Sequence, residues 1–223
     1  MKNFGKMIAL ILILALTIPM SAFADDNTQY ADTLYELGLF KGTDNGYELE
    51  KTFTREEAAT VLVRLLGEEK NVALKTYPTL FTDVESDRWS FPYVMYCYEN
   101  EITRGTGEDT FSPVQEISAE EFVTLVLRLL GYTDAEPQTA LEDCIYLNLL
   151  NSEIAKELEL SSSFTRNDMV YIVYRSLMTK TVSGDILADI LVEKTVISEE
   201  ETEEFDVYDS ADNIDELLDK LLN

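Results

Sequence analysis

The sequence has no histidine, two cysteines and a single tryptophan, and its 17 lysines and arginines stand against 43 aspartates and glutamates. Without histidine there is no Ser-His-Asp triad, no Cys-His nucleophile pair and no imidazole-ligated metal. A formal net charge of −26 lacks the basic surface that a phosphate backbone demands, which argues against nucleic acid as a partner. What remains is an acidic, apolar-rich chain of 223 residues, a length suited to one or two domains.

Residues 1–24 stand apart from the rest. Lys2 and Lys6 precede an apolar run from Met7 to Met20, broken only by Thr17 and Pro19, and Ala22-Phe23-Ala24 follows with small residues at both recognition positions of a signal peptidase. The run is short for a membrane span and has no charged stop-transfer flank. The expectation is a cleaved secretory signal, with an uncleaved N-terminal anchor as the alternative. Its removal takes away two bases and no acid, so the net charge moves from −26 to −28. With no lipobox cysteine and no hydrophobic C-terminal tail, the mature chain is expected to carry no membrane span and to stay on a cell only by non-covalent binding.

An internal repeat organises the remainder. Phe53-Thr54-Arg55-Glu56-Glu57, Ile117-Ser118-Ala119-Glu120-Glu121 and Phe164-Thr165-Arg166-Asn167-Asp168 each give an apolar residue, a hydroxyl cap, a polar turn and then an apolar helical run. Thr54 with Glu57 and Ser118 with Glu121 read as capping boxes; Asp168 makes a shorter-reaching third. Ala58, Val61, Leu62 and Leu65 fall on one helical face, as do Phe122, Leu125, Val126 and Leu129, with Met169, Ile172 and Val173 in the third copy. Arg64, Arg128 and Arg175 stand ten positions after their caps, where a cation suits the helix dipole. Gly67 and Gly131 suit left-handed C-caps.

A shorter helix is expected before each cap, at Tyr30–Leu37, Phe91–Glu99 and Thr139–Leu147. The first two lead into related turns, Lys41-Gly42-Thr43 and Arg104-Gly105-Thr106. One such unit cannot bury both its helices, so the three are expected to pack together. The predicted organisation is a signal over 1–24, a repeat domain over 25–197 with repeats at about 28–67, 81–131 and 134–180, and an acidic tail over 198–223. In the stretch from Thr181 onward, Ile186, Leu187, Ile190 and Leu191 suggest a helix docking on the domain. Ser198–Asp212 reads as a spacer and Asn213–Leu222 as a short amphipathic helix or a frayed end.

These residues resemble the S-layer homology family. The second copy carries most of the likeness, in Phe81-Thr82-Asp83-Val84, Trp89, Arg104-Gly105-Thr106-Gly107 and Phe111-Ser112-Pro113, and the first supplies Thr54-Arg55-Glu56-Glu57. The resemblance implies a mainly α fold of three helix-loop-helix repeats in a pseudo-threefold domain. It also implies an exported, non-enzymatic, cofactor-free module that binds a secondary cell-wall polysaccharide, in most members a pyruvylated one, in grooves between repeats. Ala119 departs from the signature arginine, the third copy has Leu150-Asn151-Ser152 where a Gly-Thr turn would stand, and the first lacks the Phe-x-Asp start. The alternative is a degenerate module acting as a protein-interaction or surface-layer assembly subunit through its acidic tail.

On that reading the ligand residues are Arg55 foremost, supported by Lys41, Gly42, Thr43, Arg104, Gly105, Thr106 and Arg166. The physical case for Arg55 and Arg166 is a guanidinium beside free N–H groups of a helix's first turn, an arrangement that suits a carboxylate. The alternative is an arginine paired with neighbouring acids. Gly42 and Gly105 serve close backbone approach or simply a tight turn. Trp89 reads as an apolar staple before a helix rather than a sugar-stacking ring. Cys97 and Cys144 occupy matching slots and read as buried thiols, with a bridge as the alternative. Asp83, Glu85 and Asp87 have the spacing of a calcium loop, but Arg88 and Val94 stand where it needs glycine and a bidentate glutamate.

Overall fold

A computed structural model describes residues 27–198 and Thr202. The segments expected to form a signal (1–24) and a short helix (213–222), and nearly all of the expected spacer, lie outside the described residues. Those described are mainly helical: α1 Thr28–Glu36, α2 Arg55–Leu65, α3 Glu69–Val72, α4 Phe91–Glu99, α5 Ala119–Leu129, α6 Ala140–Tyr146, α7 Ser152–Leu160, α8 Arg166–Leu177 and α9 Leu187–Glu193. No strand forms among them. Isolated bridges pair Thr52 with Thr165 and Thr54 with Glu116, so the extended pieces before the caps meet edge to edge between repeats.

The three long helices α2, α5 and α8 begin as the sequence predicts. Thr54, Ser118 and Thr165 each accept from the N3 amide while Glu57, Glu121 and Asp168 reach back to the cap's own N–H. Each box satisfies two first-turn donors that would otherwise depend on solvent. The helices then bury nearly their whole length, with Leu62, Phe122, Val126, Met169, Ile172 and Val173 fully enclosed. Gly67 and Gly131 follow the first two at φ +72° and +95°. Space fixes them as well as angle: a Cβ would lie 2.2 Å from Val196 at Gly67 and 2.5 Å from Val182 at Gly131. Both valines belong to the segment after the third repeat, which therefore closes over the ends of α2 and α5.

The short helices do not pair with the long helix of their own repeat. Instead α4 packs on α2, α6 on α5 and α1 on α8. Each first helix thus covers the capped helix of another repeat, and the contact of α1 with α8 joins the two ends of the repeat region. Tyr30 of α1 stacks its ring 5.6 Å from Tyr171 and 4.7 Å from Tyr174. One continuous apolar core runs through all three repeats, from Tyr30 to Leu191 and Ile197. The helix expected around Ile186–Leu191 forms as α9, with Leu187 and Leu191 buried.

Two helices have no counterpart in the sequence expectation. Asn151, read as part of a replaced turn, is the N-cap of α7, its Oδ1 accepting from the Glu153 and Ile154 amides. The short α3 follows Gly67 and carries Glu69 to the surface site described below. Cys97 and Cys144 are both buried and unpaired. Burial raises both thiols above their ordinary range, so they behave as small apolar groups.

Candidate functional site

The helix starts are the first place where the expected anion site is tested by geometry, and their amides are already engaged. The Arg55 N–H donates to the Gln115 carbonyl at 2.9 Å and the Glu56 N–H to Pro113 at 3.1 Å. Arg55 is 4% exposed. Its Nε donates to the Phe111 carbonyl at 2.8 Å and its Nη1 to Glu121 at 3.1 Å, with the ring of Phe111 under it. Burial lowers the Arg55 pKa while Glu121 and Asp83 support its charge.

Arg166 repeats this geometry at matched positions. Its N–H donates to Lys51, the next amide to Leu49, Nη1 to the Tyr47 carbonyl, and Nη2 to Glu57 at 2.6 Å. Counted from the following cap, the acceptors in both junctions stand three, five and seven residues before it and three after. The free first-turn N–H groups expected beside Arg55 and Arg166 are therefore absent. Both arginines pair with acids, but acids of another repeat: each ties its helix start to the capping-box glutamate of a neighbour.

The third junction differs. Position 119 is alanine, and among the described residues no backbone bond joins the first turn of α5 to the segment 158–163. In its place lies a pocket of about 220 Å³ between Ala119 and Glu120 on one side and Leu158 and Ser161–Ser163 on the other.

The glycine turns lie at the surface. Thr43 N donates to Gly46 O at 2.7 Å and Thr106 N to Thr110 O at 2.8 Å, so both turns close alike. Gly105 is required on two counts, since φ is +81° and a Cβ would meet Thr110 O at 2.4 Å. Phe81-Thr82-Asp83 anchors the second turn from below, Asp83 accepting from the Phe111 and Ser112 amides at 2.9 and 2.7 Å.

Lys41 and Arg104, just before the two glycines, each share a glutamate with the arginine late in the long helix. Lys41 Nζ and Arg64 Nε hold the two oxygens of Glu69 at 2.7 and 2.9 Å. Arg104 and Arg128 both reach Glu136 Oε1, Arg128 at 3.5 Å. Burial pushes the Glu69 carboxyl up, but bonds from Lys41 and Arg64 outweigh it and the net shift is downward. Two cations around one carboxylate leave each cluster with one positive charge in excess, on a protein that is otherwise strongly acidic.

Around the first cluster the surface is aromatic. Trp89 is 55% exposed, which corrects the expectation that it packs as an apolar staple. Phe91 and Val94 take the buried positions of α4, and the indole is left outside, its ring 6.5 Å from that of Tyr93. Burial, and Glu69 beside it, push the Tyr93 phenol up. Lys41 also lines a broad open concavity with Tyr35, Gly42, Thr43 and Tyr47, in which Glu36 and Asp44 are the acidic groups. Tyr35 is exposed, its ring 6.0 Å from Tyr47, whose hydroxyl donates to Asp32 at 2.8 Å. The sequence points to Lys41, Gly42 and Thr43 on this surface; Tyr35, Tyr47, Arg64, Glu69 and Tyr93 are brought beside them by the fold, with only the matched position of Arg64 and Arg128 to hint at the clusters.

Residues 80–123 match the family model of the S-layer homology domain. The chain is 35% identical over 131 residues to a surface layer protein of Brevibacillus choshinensis, covering 53% of this chain and 12% of that protein. It is 33% identical over 166 residues to a middle cell wall protein of Brevibacillus brevis, covering 68% and 15%. It is also 30% identical over 107 residues to a cellulosome-anchoring protein of Acetivibrio thermocellus, covering 48% and 24%. The chain thus spans less than a quarter of the length of each of these relatives. With the repeat signature and the helical architecture, the match to the second repeat shows that this chain carries an S-layer homology domain at residues 80–123.

Proposed function

We propose that the protein is a non-enzymatic anchoring module of the cell wall and cell surface, which holds an acidic secondary wall polysaccharide at the strip formed by Tyr35, Tyr47, Lys41, Arg64, Tyr93 and Trp89. The observation that carries this reading is the exposed Trp89, whose ring neighbours that of Tyr93, itself beside Glu69 of the Lys41–Glu69–Arg64 cluster. Exposed aromatic rings give a sugar a flat apolar face to stack on. A cluster with an excess positive charge supplies charge-assisted bonds to a carboxylate such as a pyruvyl ketal. Long-range repulsion between an acidic protein and an acidic polymer makes a local cationic patch necessary.

The remaining predicted residues fit this reading in two ways. Gly42 and Thr43 shape the first concavity, and Arg104, Gly105 and Thr106 form a second, related contact at the Glu136 cluster. Arg55 and Arg166 act as positioning residues that hold the repeats in register. A carboxylate on the polymer would compete with Glu69 for Lys41 and with Glu136 for Arg104, so both cations are available by exchange. The names of the relatives, a surface layer protein, a cell wall protein and a cellulosome-anchoring protein, support the anchoring role.

The test is co-sedimentation of the purified protein with wall sacculi before and after the secondary polymer is stripped. Binding lost on stripping is expected. Equal binding to both preparations would place the contact on peptidoglycan or protein and remove the polysaccharide from the account.

A further inference from the structure

The end of α2 borders a cavity of about 310 Å³ in which the protein's charge balance is reversed. Arg64, Lys70 and Lys194 line it against one carboxylate, Glu69, on a chain with 17 bases and 43 acids. Glu69 is already shared by Lys41 and Arg64. Lys70 is exposed and pairs with no acid among the described residues, while Lys194 reaches Glu68 only at 3.9 Å. Counting Lys41 and Glu68 as well, the patch keeps two positive charges in excess.

The acidic part of the chain leaves the domain at this same place. Helix α9 ends in a Schellman turn: Thr195 takes φ +58°, its N–H donates to Val192 at 2.9 Å, and the Val196 N–H donates to Leu191 at 2.9 Å. Val196 then sits against Gly67, where a Cβ would come within 2.2 Å of it, and Ile197 is buried. The departure at Ser198 is thus pinned two residues beyond Val196, which lines the cavity. Residues 199–212 hold eight acids and no base. A strongly acidic protein repels such a segment over most of its surface, and this patch attracts it. The tether also gives the segment an effective concentration in the millimolar range, so contacts with exposed lysines that are weak one by one suffice. We infer that residues 199–212 dock on the Arg64–Lys70–Lys194 cavity and act as an internal competitor of the acidic polymer for the adjoining Lys41–Glu69–Arg64 cluster, a regulation that rests on the polysaccharide reading above.

The first test needs no polysaccharide. A nitroxide on Ser210→Cys of the full chain, in which Cys97 and Cys144 are buried, should broaden the backbone amide signals at positions 70 and 194. The broadening should fall about twofold or more in about 0.5 M salt, where exposed charges are screened, and likewise in the double variant Lys70→Ala, Lys194→Ala. Broadening that both changes leave untouched comes from the tether alone and would overturn the docking. Broadening that grows with protein concentration would give the cavity to the tail of a second copy and overturn it too. The second test is sacculus binding. With Glu199→Gln, Glu200→Gln, Glu201→Gln, Glu203→Gln and Glu204→Gln together, binding should strengthen about threefold or more, and the gain should vanish when Lys70→Ala and Lys194→Ala are added. An equal gain in both backgrounds would come from the long-range field of the tail and overturn the competition. Failure of the parent and every variant to bind sacculi would instead remove the polysaccharide reading, with the docking still decided by the broadening.

Discussion

The junction between the first and second repeats and the junction between the second and third are built from the same parts, yet only one is closed. At the first, Arg55 reaches Glu121 and Phe111 while its amide and the next bond Gln115 and Pro113. From the same turn Glu56 reaches the other way, accepting from Arg88 at 2.7 and 2.8 Å and from Ser90 at 2.6 Å. At the second, Ala119 supplies no side-chain donor and a pocket remains. The α7 helix, packed on α5 and α6, supplies apolar contact there instead. One arginine therefore decides whether two repeats are joined by a polar lock or only by apolar packing.

The comparison is broken most strongly by Arg55→Ala. Removing the buried guanidinium leaves the Phe111 carbonyl and the partly exposed Glu121 without their donor, at a cost of about 3 kcal/mol, the upper end for hydrogen bonds to a charged group. For a domain of this length that lowers the melting temperature by roughly 6–12 °C, read by calorimetry. A change below about 2 °C would mean that the lock contributes little to stability.

Glu56→Gln comes next, and its effect depends on pH. Burial raises the Glu56 carboxyl, but hydrogen bonds from Arg88 and Ser90 and the Arg88 charge bring the net pKa below its ordinary value. A carboxylate with a depressed folded-state pKa contributes stability in full above its unfolded value, about 4.3, and loses it as pH falls through the folded value. The variant should therefore be less stable than the parent by about 2 kcal/mol near pH 7. The gap should shrink below roughly pH 4. Melting temperatures of both proteins from pH 7 to pH 3 check this, and a constant gap would contradict it.

Ala119→Arg sharpens the comparison with the smallest expected change. If the third junction can adopt the geometry of the other two, a guanidinium there gains bonds to Asp168 and to the 158–163 carbonyls. The expected stabilisation is about 1 kcal/mol, a rise of roughly 2–4 °C in melting temperature. A fall would show that α7 occupies the space the arginine needs.

What the sequence disclosed and what it withheld divide along the same line. The capping boxes at Thr54, Ser118 and Thr165, the glycines after α2 and α5 and the two related turns are local patterns, readable because cause and effect lie within a few residues. The partners of Arg55 and Arg166 are 66 and 109 residues away. Local reasoning therefore placed these arginines beside free amides that the fold has already used. Trp89 was misplaced for a related reason. An indole before a helix is buried only if the helix turns it inward, and here Phe91 and Val94 take that face. The Asn151 cap of α7 was locally visible, as an Asx residue before Ser-Glu with Ile154, Ala155 and Leu158 following, but comparison with the other repeats favoured a turn. Lys41 and Arg104 stand out through their glycines; the acids they share with Arg64 and Arg128 emerge only from the packing of helix ends.

The most direct test of the anchoring account is the affinity of Trp89→Ala for wall sacculi, measured beside Leu160→Ala, which removes another exposed apolar side chain remote from the strip. The account predicts that Trp89→Ala binds about thirtyfold more weakly, as for loss of a central aromatic contact worth about 2 kcal/mol. Leu160→Ala should bind like the parent, with melting temperatures little changed in both. Equal binding by the two variants, with folding intact, would contradict the placement of the polysaccharide on this surface.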